Sequence, residues 1–154
     1  MAIYFLDSSA LVKRYISETG SDWVLGLFEP TLDNEFFVAA ITGVEIVAAT
    51  TRRARNGSIT NADAALVCNQ LRSDLQTNYQ VIAITEGIIN SVMALAERQG
   101  LRGYDAVQLA AGCAVNELSI ASGLSPIIFV SADDKLNLAA ANEGLLVENP
   151  NGYP

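Results

Sequence analysis

Short runs of apolar residues alternate along this chain with longer segments in which apolar residues recur every three or four positions. The runs 2–6, 36–41, 79–84, 127–130 and 145–148 have the length and the branched or aromatic content of buried strands. The intervening periodicity predicts helices at 8–16, after Gly20, and at 42–55, 61–77, 85–100, 104–122 and 134–142. This alternation predicts a three-layer α/β/α sandwich around a mostly parallel sheet of four to five strands.

Length and composition fit a single compact domain over residues 1–154. Apolar residues make up 51% of the chain, and no apolar stretch is long enough to span a bilayer. The first residues lack the pattern of a signal peptide, so we expect a cytoplasmic protein. Cys68 and Cys113 fit no zinc or redox motif, which favours two reduced core cysteines.

The absence of histidine narrows the possible chemistry more than any other feature of the composition. It excludes Ser-His-Asp and Cys-His catalysis, histidine-ligated zinc and a histidine general base. Carboxylates, hydroxyls, Lys or Arg, or a metal bound by oxygen ligands remain. The net charge of −8 argues against a protein that coats nucleic acid by bulk electrostatics, but a small basic patch could still bind it.

Four acidic residues fall where they could meet. Asp7 directly follows the first predicted strand, and Asp133 comes shortly after the fourth. Asp105 opens a long helix, and Glu45 lies one turn into the helix after the second strand. Strand ends and the helix starts that follow them share the ligand-binding edge of an open parallel sheet. We therefore expect Asp7, Glu45, Asp105 and Asp133 to converge.

Each acid also has a simpler structural explanation. Asp7 and Asp133 could be helix N-caps, and Asp105 could stabilise a helix dipole. Glu45 is harder to explain in this way, because apolar residues flank it on both sides, although a surface position remains open. Asp134 fits a solvated residue.

A shared acidic pocket would favour a divalent cation. Neighbouring carboxylates raise one another's pKa, and a cation removes that conflict. An all-oxygen site suits Mg²⁺ or Mn²⁺, which can activate water and bind phosphate oxygens. The pattern therefore fits phosphodiester hydrolysis without histidine.

The four acids lie in the segments FLDSSALVKRY, TGVEIVAA, LRGYDAVQLAA and FVSADDKLNLAAANEGL. In these segments, and in their order, the sequence resembles the PIN-domain family, particularly VapC-like toxins of toxin–antitoxin pairs. The resemblance spans nearly the whole chain and implies a metal-dependent ribonuclease. It implies that the same four acids form the metal site and that Ser9 and Ser131 orient carboxylates or metal-bound water. Asp134 could share or replace the role of Asp133.

The resemblance also implies partners: an RNA substrate, a small antitoxin that also binds DNA, and a second copy of the chain. The helices after the second strand are possible contact surfaces. The cations that could meet RNA phosphates are Lys13, Arg14, Arg52, Arg53, Arg55 and Arg102, although a solvated charged face is the simpler explanation for them. Arg102 is the best candidate, because it lies three residues before Asp105.

Three other interpretations compete with a nuclease. A phosphoacceptor receiver domain would need an additional acid pair and a lysine that are missing here. A metal-dependent adhesion module would need Asp-x-Ser-x-Ser, and the second serine is missing from residues 7–11. A non-catalytic PIN-fold binding module remains the main alternative.

Overall fold

The computed structural model describes residues 1–154, which form five strands and seven α-helices. The strands are β1 (Ile3–Leu6), β2 (Glu35–Ala39), β3 (Gln80–Ile82), β4 (Ile128–Val130) and β5 (Leu146–Glu148). The helices are α1 (Ser8–Tyr15), α2 (Ser21–Leu27), α3 (Ala40–Arg55), α4 (Asn61–Thr77), α5 (Glu86–Gln99), α6 (Gly103–Ala121) and α7 (Asp134–Asn142). Two short 3₁₀ turns complete the chain, at Pro30–Leu32 and Pro150–Gly152. None of the helices has both the length and the apolar composition that crossing a bilayer requires.

The five strands form one sheet in the order β3-β2-β1-β4-β5, and every neighbouring pair is parallel. The predicted parallel α/β class is therefore confirmed. The chain leaves β1 for one side of the sheet and later crosses to the other side at β4, so the order reverses between β1 and β4. Receiver domains have the order 2-1-3-4-5, so the receiver interpretation is wrong.

Two apolar cores lie on opposite faces of this sheet, as the sandwich prediction requires. Successive side chains of a strand point to opposite faces, and β1 supplies Phe5 to one core and Leu6 to the other. The Phe5 core packs against α5, α6 and α7, and the Leu6 core packs against α1, α3 and α4. Both faces of the central strands are thereby covered.

Helix α6 lies unusually close to the sheet at Gly112. A Cβ atom there would lie 2.7 Å from the ring of Phe129, which stacks on Phe5 with ring centroids 5.4 Å apart. Only glycine leaves room for this approach. The close packing fixes α6, whose N-terminal turn carries Asp105, against the centre of the sheet.

The predicted strands extend beyond the observed ones by one to three residues. The run 36–41 gives a strand that ends at Ala39, because α3 begins at Ala40 without an intervening loop. The run 79–84 forms only Gln80–Ile82, since β3 is an edge strand that pairs with β2 alone. Apolar character alone does not indicate where strand pairing stops.

Candidate active site

Asp7 lies at the carboxyl end of the central strand, where the strand order reverses. Its backbone N–H donates to the carbonyl oxygen of Val130 on β4 at 3.1 Å. Its side chain caps α1 by accepting a hydrogen bond from the backbone N–H of Ala10 at 2.9 Å. Asp7 is thus both a helix cap and the most central acid of the sheet edge, and only 3% of it is exposed.

Two serine hydroxyls hold the Asp7 carboxylate. Ser9 donates to Oδ1 at 2.7 Å, and Ser131 donates to Oδ2 at 2.7 Å. Backbone amides fix the serines in turn, because Ala132 N–H donates to Ser9 Oγ and Asp133 N–H donates to Ser131 Oγ. Both serines therefore contact the first acid, and they join the end of β1 to the end of β4.

Burial raises the pKa of Asp7 from 3.8 to about 6. The hydrogen bonds from Ser131, Ser9 and Ala10 lower it, and the negative charge of Glu45 raises it further. The cost of desolvating the carboxylate therefore exceeds the stabilisation from its three donors. A nearby cation would therefore stabilise the ionised form of the Asp7 carboxyl and lower its pKa.

The other three acids continue from Asp7 as a series of neighbours. Burial raises the pKa of Glu45, and Asp105 raises it further, while hydrogen bonding to Gln108 and Ser8 lowers it. Burial also raises the pKa of Asp105, and the charge of Asp133 adds to this effect. The negative charge of each acid thus raises the pKa of the one before it in this series.

The two aspartates at the start of α7 face different neighbours. Asp133 is exposed, caps α7 by accepting from the backbone N–H of Leu136 at 3.0 Å, and acts on the pKa of Asp105. Asp134 accepts a hydrogen bond from Asn149 at 2.8 Å instead. The arrangement favours Asp133 over Asp134 as the fourth acid.

The four carboxylates share an edge but are not packed into a tight cluster. No three of the acidic side chains lie close enough together, as they stand, to form a ready-made metal site.

A groove of about 460 Å³ adjoins the acids, between α1, α3 and the start of α6. Glu45 and Ser9 lie at its acidic end, Val44 and Tyr104 supply apolar walls, and Arg52 supplies positive charge. Tyr104 is 64% exposed beside Asp105. Sequence analysis missed it, although its place next to an acid of the motif was a usable signal.

Two exposed arginines flank the acids and form no ion pair within the protein. Arg52 lines the groove. Arg102 precedes α6 and lowers the pKa of Asp105, so its charge reaches the acidic edge. These two cations are available to a ligand.

Three of the other cations proposed for RNA make contacts inside the protein, and Lys13 among them is too buried to reach a phosphate. Lys13 is 4% exposed and pairs with Glu18 at 3.0 Å, and Arg53 pairs with the same carboxylate at 2.8 Å. Arg14 donates to the hydroxyl of Tyr79 and lies over the ring of Phe28, 3.9 Å from its centroid. Lys13 and Arg14 therefore have a structural role, whereas Arg53 also lines the groove beside Glu45.

The two cysteines are less buried than the sequence analysis predicted. Both are free thiols and only partly buried. Burial raises the pKa of Cys113 to about 11, which makes it an unreactive thiol at neutral pH.

Comparison with known proteins shows which solved structures share this fold. No model of a protein family matches the chain, and no curated protein sequence does. Solved structures match over nearly its full length. A toxin–antitoxin complex from Klebsiella pneumoniae has a TM-score of 0.63 and 17% identity, covering 96% of this chain and 97% of that one. FitAcB from Neisseria gonorrhoeae gives 0.58 and 15%, covering 96% and 97%.

VapBC2 from Rickettsia felis, bound to a DNA fragment from its promoter, gives a TM-score of 0.59 and 16% identity, covering 96% of this chain and 98% of that one. At these identities the likeness is one of fold. The PIN-like fold that the sequence motifs implied is confirmed.

Proposed function

We propose that this protein is a metal-dependent ribonuclease and the toxin of a toxin–antitoxin pair, acting in the cytoplasm. The observation that carries the proposal is the alignment of four acids from four distant segments along one edge of a parallel sheet, where Ser131 joins Asp7 to the end of β4 and Gln108 joins Glu45 to α6. The fold is shared with proteins from toxin–antitoxin complexes, which supports the same assignment.

The ligand chemistry at this edge fits Mg²⁺ or Mn²⁺. Every available donor is an oxygen, and Mg²⁺ commonly binds only one or two carboxylates while it keeps several waters. A fully assembled cluster of three acids is therefore not required. Asp7, Asp105 and Asp133 would hold the ion, with Glu45 as a further ligand or as a base. When bound, the ion lowers the pKa of a water and stabilises negative charge on the phosphate.

We assign Glu45 as the general base that activates the attacking water. Its carboxylate accepts a proton as the water oxygen bonds to phosphorus, and the bond from phosphorus to the departing ribose oxygen breaks on the opposite side. The departing oxygen takes its proton from solvent. Each cleavage consumes one water and produces one RNA fragment with a terminal phosphate and one with a terminal hydroxyl.

The groove beside Glu45 suits single-stranded RNA. Arg52 and Arg102 can meet phosphates on either side of the acids, and the exposed ring of Tyr104 offers a surface on which a base can stack. Base stacking needs no particular base, so this surface suits a loop or an unpaired strand better than a duplex.

The function is tested by cleavage of a labelled single-stranded RNA. The wild-type protein should cut it with Mn²⁺ or Mg²⁺ and stop when EDTA is added. Asp105→Asn should lower the rate by roughly a hundredfold or more, since even residues that only support metal ligands are worth about 10- to 100-fold.

Asp63→Asn is the matched control for that variant. Asp63 also lies in the first turn of a helix, α4, but is exposed and outside the acidic edge. It should cleave like the wild-type protein. RNA binding without cleavage by the wild-type protein, in any divalent metal, would instead identify a non-catalytic PIN-fold module.

A second copy of the chain and a small DNA-binding antitoxin are the proposed partners. Helix α4 exposes Leu66, which is 68% accessible and lies outside the groove, so we assign the homodimer contact to the α3–α4 pair of helices through α4. The purified protein should have about twice the monomer mass of 16.4 kDa. Leu66→Lys should return it to a monomer, because a charge cannot be buried in an apolar contact without a partner.

Leu138→Lys controls for added charge, because Leu138 is 64% exposed on α7, which packs on the other face of the sheet. Light scattering after gel filtration measures both masses. A monomeric wild-type protein whose mass does not change with a co-expressed candidate antitoxin would count against both partners.

A further inference from the structure

A buried glutamine bridges the acidic edge to the helix opposite. Gln108 is 1% exposed and lies on α6, three residues after Asp105. Its side-chain Nε2 donates to Glu45 Oε1 at 2.8 Å and to Thr42 Oγ1 at 2.9 Å. Both N–H groups of the amide are thus used on α3. Nothing in the sequence motifs assigned this residue a role.

The other end of the amide is unsatisfied. Gln108 Oε1 is fully buried and has no hydrogen-bond partner. A buried acceptor without a partner destabilises the folded state, so stability alone does not explain a glutamine here. Turning the amide over would direct its oxygen at the Glu45 carboxylate, and two acceptors repel. The observed orientation is therefore the one in which the amide donates a hydrogen bond to the Glu45 carboxylate.

Thr42 makes this orientation more specific. Its side chain is completely buried, and its hydroxyl oxygen accepts the second Nε2 hydrogen. The amide is thereby held at two points on α3, one of which is the carboxylate. Glu45 itself is only half-buried on a helix whose neighbouring Val44 faces outward, so nothing on its own helix restricts its side chain to the same degree.

We propose that Gln108 is a positioning residue that, together with Thr42, holds the Glu45 carboxylate in one orientation at the acidic edge. The inference rests on the proposed function, because it concerns how Glu45 is presented to metal and water. Supporting residues of this kind fix the rotamer of a metal ligand or base through a hydrogen bond. Gln108 does not itself touch substrate.

Gln108→Met is the direct test, since methionine has a similar length and removes both the donor and the unsatisfied oxygen. We expect kcat for RNA cleavage to fall about 10- to 100-fold with little change in KM. Mn²⁺ affinity, measured by calorimetry without RNA, should weaken about tenfold, the lower end of the same range. The melting temperature of the metal-free protein should stay close to that of the wild-type protein.

Thr42 supplies an independent pair of variants in case Gln108→Met does not fold. Thr42→Val removes the hydroxyl that fixes the amide and should lower kcat, whereas Thr42→Ser keeps it and should restore the wild-type rate. A merely structural role would change the melting temperature and leave Mn²⁺ affinity unchanged.

The possible failures are distinguishable. Wild-type Mn²⁺ affinity and kcat in both Gln108→Met and Thr42→Val, with Asp105→Asn inactive, would overturn the positioning role and leave the proposed function intact. A wild-type protein that neither binds Mn²⁺ nor cleaves RNA would overturn both.

Discussion

Replacing Asp7 with asparagine should inactivate the protein and, in the absence of metal, make it more stable at neutral pH. The carboxylate is 3% exposed, and burial raises its pKa from 3.8 to about 6. This difference corresponds to about 3 kcal/mol lost from the free energy of unfolding once the group is ionised. Asparagine removes that cost, and its side-chain oxygen can still cap α1.

The sign of the pH dependence follows from the raised pKa. Below about pH 4 the Asp7 carboxyl is protonated in both the folded and the unfolded protein. Its ionisation then takes nothing from the free energy of unfolding of the wild-type protein. As the pH rises through about 6, the unfolded state ionises first and stability is lost. The advantage of Asp7→Asn should therefore be absent near pH 4, grow through this range and level off above it.

Urea denaturation in EDTA at several pH values measures this difference. Asp33→Asn is the matched control, because Asp33 is exposed and in a left-handed conformation that asparagine also tolerates. It should not change stability in this pH-dependent way. Adding Mn²⁺ should stabilise the wild-type protein and not Asp7→Asn. An Asp7→Asn variant that is less stable than the wild-type protein at neutral pH would contradict the account.

The layered fold could be predicted because apolar periodicity records which face of each element is buried. Runs such as residues 2–6 read as strands since both faces of β1 are covered, with Phe5 and Leu6 in different cores. The strand order could not be predicted in the same way. Apolar content does not indicate that β1 pairs with both β2 and β4, and that pairing is what brings Ser131 to Asp7.

The position of Asp7 at the carboxyl end of the central strand could be predicted from the apolar run before it, but the environment of Glu45 could not. Its apolar neighbours suggested a buried stretch of helix, yet Val44 is 68% exposed at the groove. The contact that holds Glu45 comes from Gln108, 63 residues away along the chain. A single polar residue in the apolar stretch of α6 was the only local sign of it.

The cations were misjudged for a similar reason. Charged residues on a short helix are expected to face solvent, and Lys13 was grouped with the possible RNA contacts. The structure instead buries it and pairs it with Glu18, whose position opposite α1 depends on the turn before α2. Partners that meet through tertiary packing leave no trace in sequence spacing.

A second large effect is expected at Asp74, the other buried aspartate. Asp74 is 2% exposed and accepts hydrogen bonds from Tyr15 at 2.7 Å and from Gln70 and Asn78 at 2.8 Å each. Arg14 lies 3.8 Å from the same carboxylate. Asp74→Ala should lower the free energy of unfolding by about 3–5 kcal/mol, because it leaves a partly buried guanidinium without its counter-charge.

A double-mutant cycle with Arg14→Met measures how much of that loss belongs to the pair. The double variant should be less destabilised than the sum of the two single variants, since neither charge is then left alone. Independent effects that simply add would show that Asp74 acts through its neutral donors. Where Asp74→Ala is folded, at low temperature, it should still cleave RNA. The two aspartates thus predict opposite outcomes. Removing Asp7 costs activity and adds stability, because its three donors do not offset its burial. Asp74 also has three donors, but it has in addition the nearby cation that Asp7 lacks.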